Sequence, residues 1–243
     1  MSELLGEQKR YYAERAPEYD DWWHRRGRYE LEPEALARWQ ADVAEAEAAL
    51  EAFAPGGAAL ELAAGTGIWT RKLVQLADRV VAVDANAETL ALNTTDAELV
   101  QADVFEWRPA HRAQEAPGVS GRASSAWPTT LPAEQFELVF FSFWLSHVPE
   151  ERFDEFWSLV RAALAPGGRV FLVDSGAGDT AHTGTDQAGE EETRSLADGR
   201  TFRIVKRRWA PAELAERVRP LGFELRLCDT ANGHFLVGGG ALA

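Results

Sequence analysis

The residues best placed to do chemistry in this chain are acids at the ends of predicted strands. The apolar run Ala58 to Leu62 carries Glu61 and opens into a small-residue turn, Ala63-Ala64-Gly65-Thr66-Gly67. A helical pattern follows, with Trp69, Leu73, Leu76 and Val80 at steps of three to four. A second apolar run, Val80 to Val83, ends in Asp84, and a third, Glu98 to Ala102, ends in Asp103. The first two runs predict a β-α-β unit with a glycine turn after one strand and an acid after the next. Such a unit suits adenosine. Gly65 and Gly67 let the backbone turn sharply against a ligand. The helix N-terminus beyond them favours an anionic group. Asp84, about 20 residues on, is placed to accept hydrogen bonds from both ribose hydroxyls.

Spacing also bears on which adenosine compound is meant. A nicotinamide-binding turn reads G-x-G-x-x-G, and here Thr70 stands at the third glycine. The run E-L-A-A-G-T-G with Asp84 after it instead resembles motif I of the class I S-adenosylmethionine (SAM)-dependent methyltransferases, of pattern E/D-x-G-x-G-x-G. Ala63 replaces that pattern's first glycine, and a backbone needing positive φ resists the change. Q-A-D-V-F at 101–105 and L-A-P-G-G-R-V-F-L-V-D at 164–174 resemble later signatures of the same family.

The resemblance implies a cofactor site. Asp103 takes the adenine amine, with Val104 or Phe105 against the ring. Glu61 acts near the methionine amino group or orders the turn, and Gly65 and Gly67 flank the methionine. Ala63, Thr66, Ala85, Ser142 and Phe143 complete the set. Y-Y-x-x-R-A-P-E-Y-D at 11–20 resembles the N-terminal segment of small-molecule methyltransferases, so Tyr12 and Tyr19 close over SAM and the acceptor, with Tyr11 behind them. Trp22, Trp23, Trp144 and Asp174 are candidate contacts of the methyl acceptor. His147, just past the fourth predicted strand, is the candidate general base, since an imidazole titrates in the right range. His24, His111, His182 and His234 are weaker candidates. No Cys/His cluster has metal-ligand spacing, so no metal is expected.

Composition narrows the partners. A net charge of −14 argues against nucleic acid and against anionic membrane surfaces. Together with the aromatic residues it points to an apolar or cationic small acceptor. The single cysteine, Cys228, gives no disulfide framework and fits a reducing cytoplasm. Neither a signal-peptide pattern nor a membrane-length apolar run is expected to place the chain elsewhere. A monomer or homodimer is expected.

These residues must be positioned by a single Rossmann-like α/β domain, a seven-stranded mixed sheet with helices on both faces. An N-terminal helical cap covers residues 1–54 and the SAM-binding domain 55–243. Pro17 is expected to interrupt or end the first helix. Glu34 to Phe53 is a second helix, stopped by Pro55-Gly56-Gly57, and Ala87 to Asn93 a short one. Residues 108–135, rich in Pro, Ser, Ala and Gly, read as a flexible insertion with Trp127 as its one large apolar anchor. Phe136 to Phe143 is a fourth strand and Arg169 to Asp174 a fifth. Ser175 to Gly199 reads as a polar loop, followed by a short strand at Thr201 to Val205. After a helix at Pro211 to Leu221, Phe223 to Cys228 and His234 to Val237 form a hairpin at Asn232-Gly233. That hairpin resembles the antiparallel closure of the methyltransferase sheet and is absent from dinucleotide-binding domains. It separates the first alternative, an NAD(P)-dependent reductase. A second alternative is a non-catalytic SAM-binding protein of the same fold.

Overall fold

The computed structural model describes residues 2–53, 56–105, 135–176, 187–188 and 190–243. The expected insertion, apart from Gln135, lies outside those residues, as do Trp127, His111, His182 and Pro55.

Apolar alternation decides the layering. Strands β1 (Ala58–Leu62), β2 (Arg79–Asp84), β4 (Phe136–Ser142) and β5 (Leu164–Ser175) are apolar almost throughout, as strands covered on both faces must be. Successive side chains go to opposite faces. Leu60, Val81, Val139 and Leu172 enter one core, while Ala59, Val80, Leu138 and Phe171 enter the other. Helix α2 (Pro33–Phe53) covers the second face with Trp39, Ala46 and Leu50, and α3 (Thr70–Leu76) adds Leu73. Helix α4 (Ala87–Leu90) is a single turn, shorter than expected. The first face takes Phe153, Phe156 and Trp157 of α5 (Phe153–Ala163) and Leu214 and Val218 of α6 (Pro211–Val218).

With β3 (Glu98–Gln101), β9 (Phe223–Asp229) and β10 (Phe235–Leu242), these strands form a sheet of seven in the order β3-β2-β1-β4-β5-β10-β9. Strand β10 runs antiparallel to both β5 and β9, so the expected closing hairpin is present. Strand β5 begins earlier than expected. Leu164 pairs with Phe136, and the ladder skips a register before Leu138 meets Arg169, with Gly167 at φ 78° in the gap. Among the described residues, no helix is long and apolar enough to cross a membrane.

Two expectations fail here. Part of the predicted polar loop pairs instead into a second sheet, β6 (Gln187–Ala188), β7 (Glu191–Ser195) and β8 (Thr201–Val205). Nor does Pro17 break the first helix, for α1 runs from Ser2 to Trp23. A proline inside a helix costs roughly 3 kcal/mol. Here both sides of it are anchored. Leu4 and Leu5 enter the first core, Tyr11 packs with Leu196, Phe202 and Ile204 of the small sheet's region, and Trp22 and Trp23 enter the second core. The helix therefore straddles the edge of the main sheet where β1 and β2 end. Pro17 itself is exposed.

Candidate functional site

The C-terminal ends of β1, β2 and β4 and the inner face of α1 enclose a cavity of about 750 Å³ that opens to solvent. Thirteen of the residues singled out in the sequence line it. They are Tyr12, Tyr19, Ala63, Gly65, Asp84, Ala85, Asp103, Val104, Phe105, Ser142, Phe143, Trp144 and His147.

The turn after β1 is held by the Asp84 side chain at the end of β2. Asp84 Oδ2 accepts the Gly65 N–H at 2.9 Å, while Oδ1 accepts the Asn86 N–H at 2.8 Å and the Thr89 hydroxyl at 3.1 Å. Burial raises the Asp84 carboxyl, and the donated N–H groups of Asn86 and Gly65 oppose that rise. Ala63 sits at φ 54°, the left-handed conformation that its place in the turn demands and a side chain resists. Gly67 is at φ 86°, and a Cβ there would collide with the Asn93 side chain. Asp103 Oδ1 accepts the Phe105 N–H at 2.8 Å, and its other oxygen forms an ion pair with Lys9 of α1. Phe105 stacks obliquely on Trp144, ring centroids 5.3 Å apart.

Glu61, Thr66 and Gly67 do not line this cavity. Glu61 is 1 % exposed and its Oε2 accepts the Thr70 hydroxyl at 2.6 Å. Thr70, at the third-glycine position, thus has a use for its side chain. Thr66 borders a smaller pocket behind the turn and bonds Asp20 of α1. Trp22 and Trp23 also border that pocket rather than the main cavity. Their rings are committed to an aromatic cluster, Trp22 edge-on to Phe143 at 5.2 Å and Trp23 stacked on Phe235 at 5.7 Å. Asp174 stands away from the cavity as well. Its oxygens accept the backbone N–H groups of Ser146 and Ser175, so it holds the turn that carries His147.

His147 does line the cavity, but it is not a free base. Its Nδ1 lies 2.6 Å from the Val205 carbonyl, which can only accept, so Nδ1 carries the hydrogen. Nε2 is then the acceptor, and the Tyr12 hydroxyl donates to it at 2.7 Å. Burial holds the imidazole well below its usual range, and Lys206, Arg194 and Arg15 push it the same way. The Val205 carbonyl works in the opposite direction. Gln8 closes the arrangement, donating to the His147 carbonyl at 3.3 Å and accepting the Val205 N–H at 2.9 Å.

Sequence reasoning missed Leu5, Gln8 and Lys9, which line the cavity from α1, and Asn86 and Thr89 beyond Asp84. The signal for the first group is the spacing Leu5, Gln8, Tyr12, one face of a helix. For the second it is a short polar residue two and five positions after a strand-end acid.

Comparison with known proteins agrees with this geometry. A methyltransferase-domain family model matches residues 60–170. The structure of DhpI in complex with S-adenosylhomocysteine (SAH) superposes with a TM-score of 0.73 and 34% identity, covering 100% of this chain and 98% of that one. A DhpI-SAM-HEP complex gives 0.72 and 35%, over 98% and 97% of the two chains. At 19% identity and a TM-score of 0.52, over 96% and 89% of the chains, the fold is shared with a Burkholderia thailandensis 1,6-didemethyltoxoflavin-N1-methyltransferase crystallised with its substrate and SAH. No curated protein sequence matches.

Proposed function

This chain belongs to the SAM-dependent methyltransferases, and from that membership we propose that it methylates a small-molecule acceptor held between α1, the small sheet and the ends of β1, β2 and β4. When bound, SAM supplies an electrophilic methyl group on a sulfonium. The chain's task is then to grip the donor and to orient the nucleophile. The observation that carries this reading is the cavity itself, in which Asp84, Asp103 and the Gly65 turn share one wall. Asp84 is oriented by the N–H groups of Gly65 and Asn86, and Oδ2, which accepts only the first of these, is the oxygen open to a ribose hydroxyl. Asp103, paired with Lys9, is the partner for the adenine amine, between Leu5, Val104 and Phe105. Ala63, Gly65, Tyr19 and Phe143 flank the methionine end. The NAD(P) reductase alternative is not favoured by the antiparallel β10 or by these relatives, nor is the non-catalytic one.

Tyr12, Trp144 and His147 face the acceptor in this proposal. The acidic composition pointed to an apolar or cationic acceptor, but cations also stand beside this end of the site. Lys206, Arg194 and Arg15 all act on His147. Lys206 is buried, its Nζ donating to Ser146 Oγ at 2.9 Å and Ser175 Oγ at 2.8 Å. Arg194 pairs with Glu192 and Lys206 lies 4.0 Å from Asp174, so these cations admit an acceptor that carries negative charge as well as an apolar one. A cytoplasmic setting goes with this reading. Titration calorimetry with SAM, SAH and NADH tests it. Binding of the first two and not the third is expected; binding of NADH alone would overturn it.

A further inference from the structure

Glu61 is a buried acid that neither the donor grip nor the acceptor side uses directly. Its Oε1 is buried and has no hydrogen-bond partner, while Oε2 receives only the Thr70 hydroxyl. The strands on either side present Ala82 and Phe140 in register with it. The charged group acting on it is a second carboxylate, Asp84. The two acids are unequally served. Asp84 receives two N–H groups and a hydroxyl, Glu61 one hydroxyl. Two like charges beside one tight turn do not both ionise readily, and the proton settles on Glu61, the acid that is more buried and has fewer donors. Burial agrees with this, pushing the Glu61 carboxyl up to about 8 with Asp84 adding to the rise and the Thr70 hydroxyl opposing it. Ala63, two residues beyond Glu61, lines the cavity at the end where the donor's cationic groups would lie.

We propose that the Glu61–Asp84 pair holds one proton in the ligand-free protein, seated on Glu61 Oε1, and that binding of SAM expels it to water. This rests on the methyltransferase reading. SAM brings an ammonium and a sulfonium beside the turn, and either charge favours the ionised carboxylate through the low-dielectric wall. The charge balance is simple: a cationic donor enters and a proton leaves, with no covalent bond changed. Glu61 is thus a positioning residue for the donor and the source of a pH-dependent affinity.

Calorimetry on the full chain reads the proton directly. SAM is titrated at neutral pH in phosphate and in Tris, whose ionisation enthalpies differ. Release approaching about one proton per SAM is expected, with affinity rising up to about tenfold per pH unit until Glu61 ionises unaided. Methylthioadenosine, which carries the nucleoside without either cation, should bind with no release. Glu61→Gln keeps a partner for Thr70 and should abolish both the release and the pH slope. Equal heats for SAM in the two buffers, or a release that persists in Glu61→Gln, would overturn the proposal. If the variant does not fold, the pH slope of the wild-type protein decides. SAM binding without proton release sinks this inference alone, whereas failure of SAM to bind sinks the methyltransferase assignment with it.

Discussion

The two walls of the cavity are built in different ways. On the nucleoside side most ties are short in sequence, the ion pair of Asp103 with Lys9 of α1 being the exception. Asp84 bonds Asn86, Thr89 and Gly65, and Asp103 bonds Phe105. On the acceptor side they span most of the chain, as in Tyr12 to His147, Gln8 to Val205, Glu7 to Arg203 and Glu14 to Arg200. The Gly65–Asp84 part of the first wall belongs to one β-α-β unit, β1-α3-β2. The second exists only once α1 has docked on β8. Electrostatics divide in the same way. At and behind the first wall, burial raises the proton affinity of Asp84 and Glu61, whereas at the second burial and nearby cations lower that of His147.

The largest expected break in that contrast is in stability against pH. The Glu61 carboxyl is raised in the folded protein, so its contribution is full below the unfolded value and is lost as pH rises towards about 8. For His147 the folded value is lowered, so its contribution is present above the unfolded value and lost as pH falls below it. In the ligand-free protein, Glu61→Gln should remove an alkaline loss on the order of a few kcal/mol, and His147→Gln should reduce an acid loss. Denaturant melts from acid to alkaline pH measure both. Parallel shifts in the same direction would erase the distinction between the walls.

Next in size, Asp84→Ala should weaken SAM binding by about 1.5–3 kcal/mol, the worth of a hydrogen bond to a charged group. Tyr12→Phe, on the other wall, should leave SAM affinity within about threefold. Comparable losses in the two variants would merge the sites. Gln8→Ala should cost about 1–3 kcal/mol, because the Val205 N–H loses its partner. Hydrogen exchange should then quicken across β8 and α1 while β1 and β2 stay protected. Uniform loss of protection would show that the walls unfold as one. The smallest effect is a gain. Ala63→Gly relieves a left-handed alanine and should stabilise the protein by roughly 0.5–1 kcal/mol, read as a higher melting temperature. An unchanged or lower melting temperature would mean that the turn is not strained there.

The sequence made the nucleoside wall legible because its signals are local. Strand-end acids, the glycine turn and the apolar runs each sit within a few residues of what they bond. The same signals gave the sheet and the antiparallel β10, whose partner β9 lies just across a tight turn. Glu61 was legible as an acid of the motif but not as a buried one, since its isolation depends on Ala82 and Phe140 in neighbouring strands.

Periodicity thus determined an α/β sheet and which three acids stand at its strand ends, and the resemblance of the turn motif implied SAM as the donor. The tertiary structure alone decided that α1 continues through Pro17, because buried anchors on both sides outweigh one strained turn. It also moved Trp22, Trp23 and Asp174 into packing roles and gave His147 a bound tautomer. Those outcomes depend on which groups meet across 58 to 197 positions of chain, as in His147 with Val205 and Gln8 with Val205. No spacing along the sequence encodes such meetings, because they are fixed by burial and by the requirement that each buried donor find an acceptor.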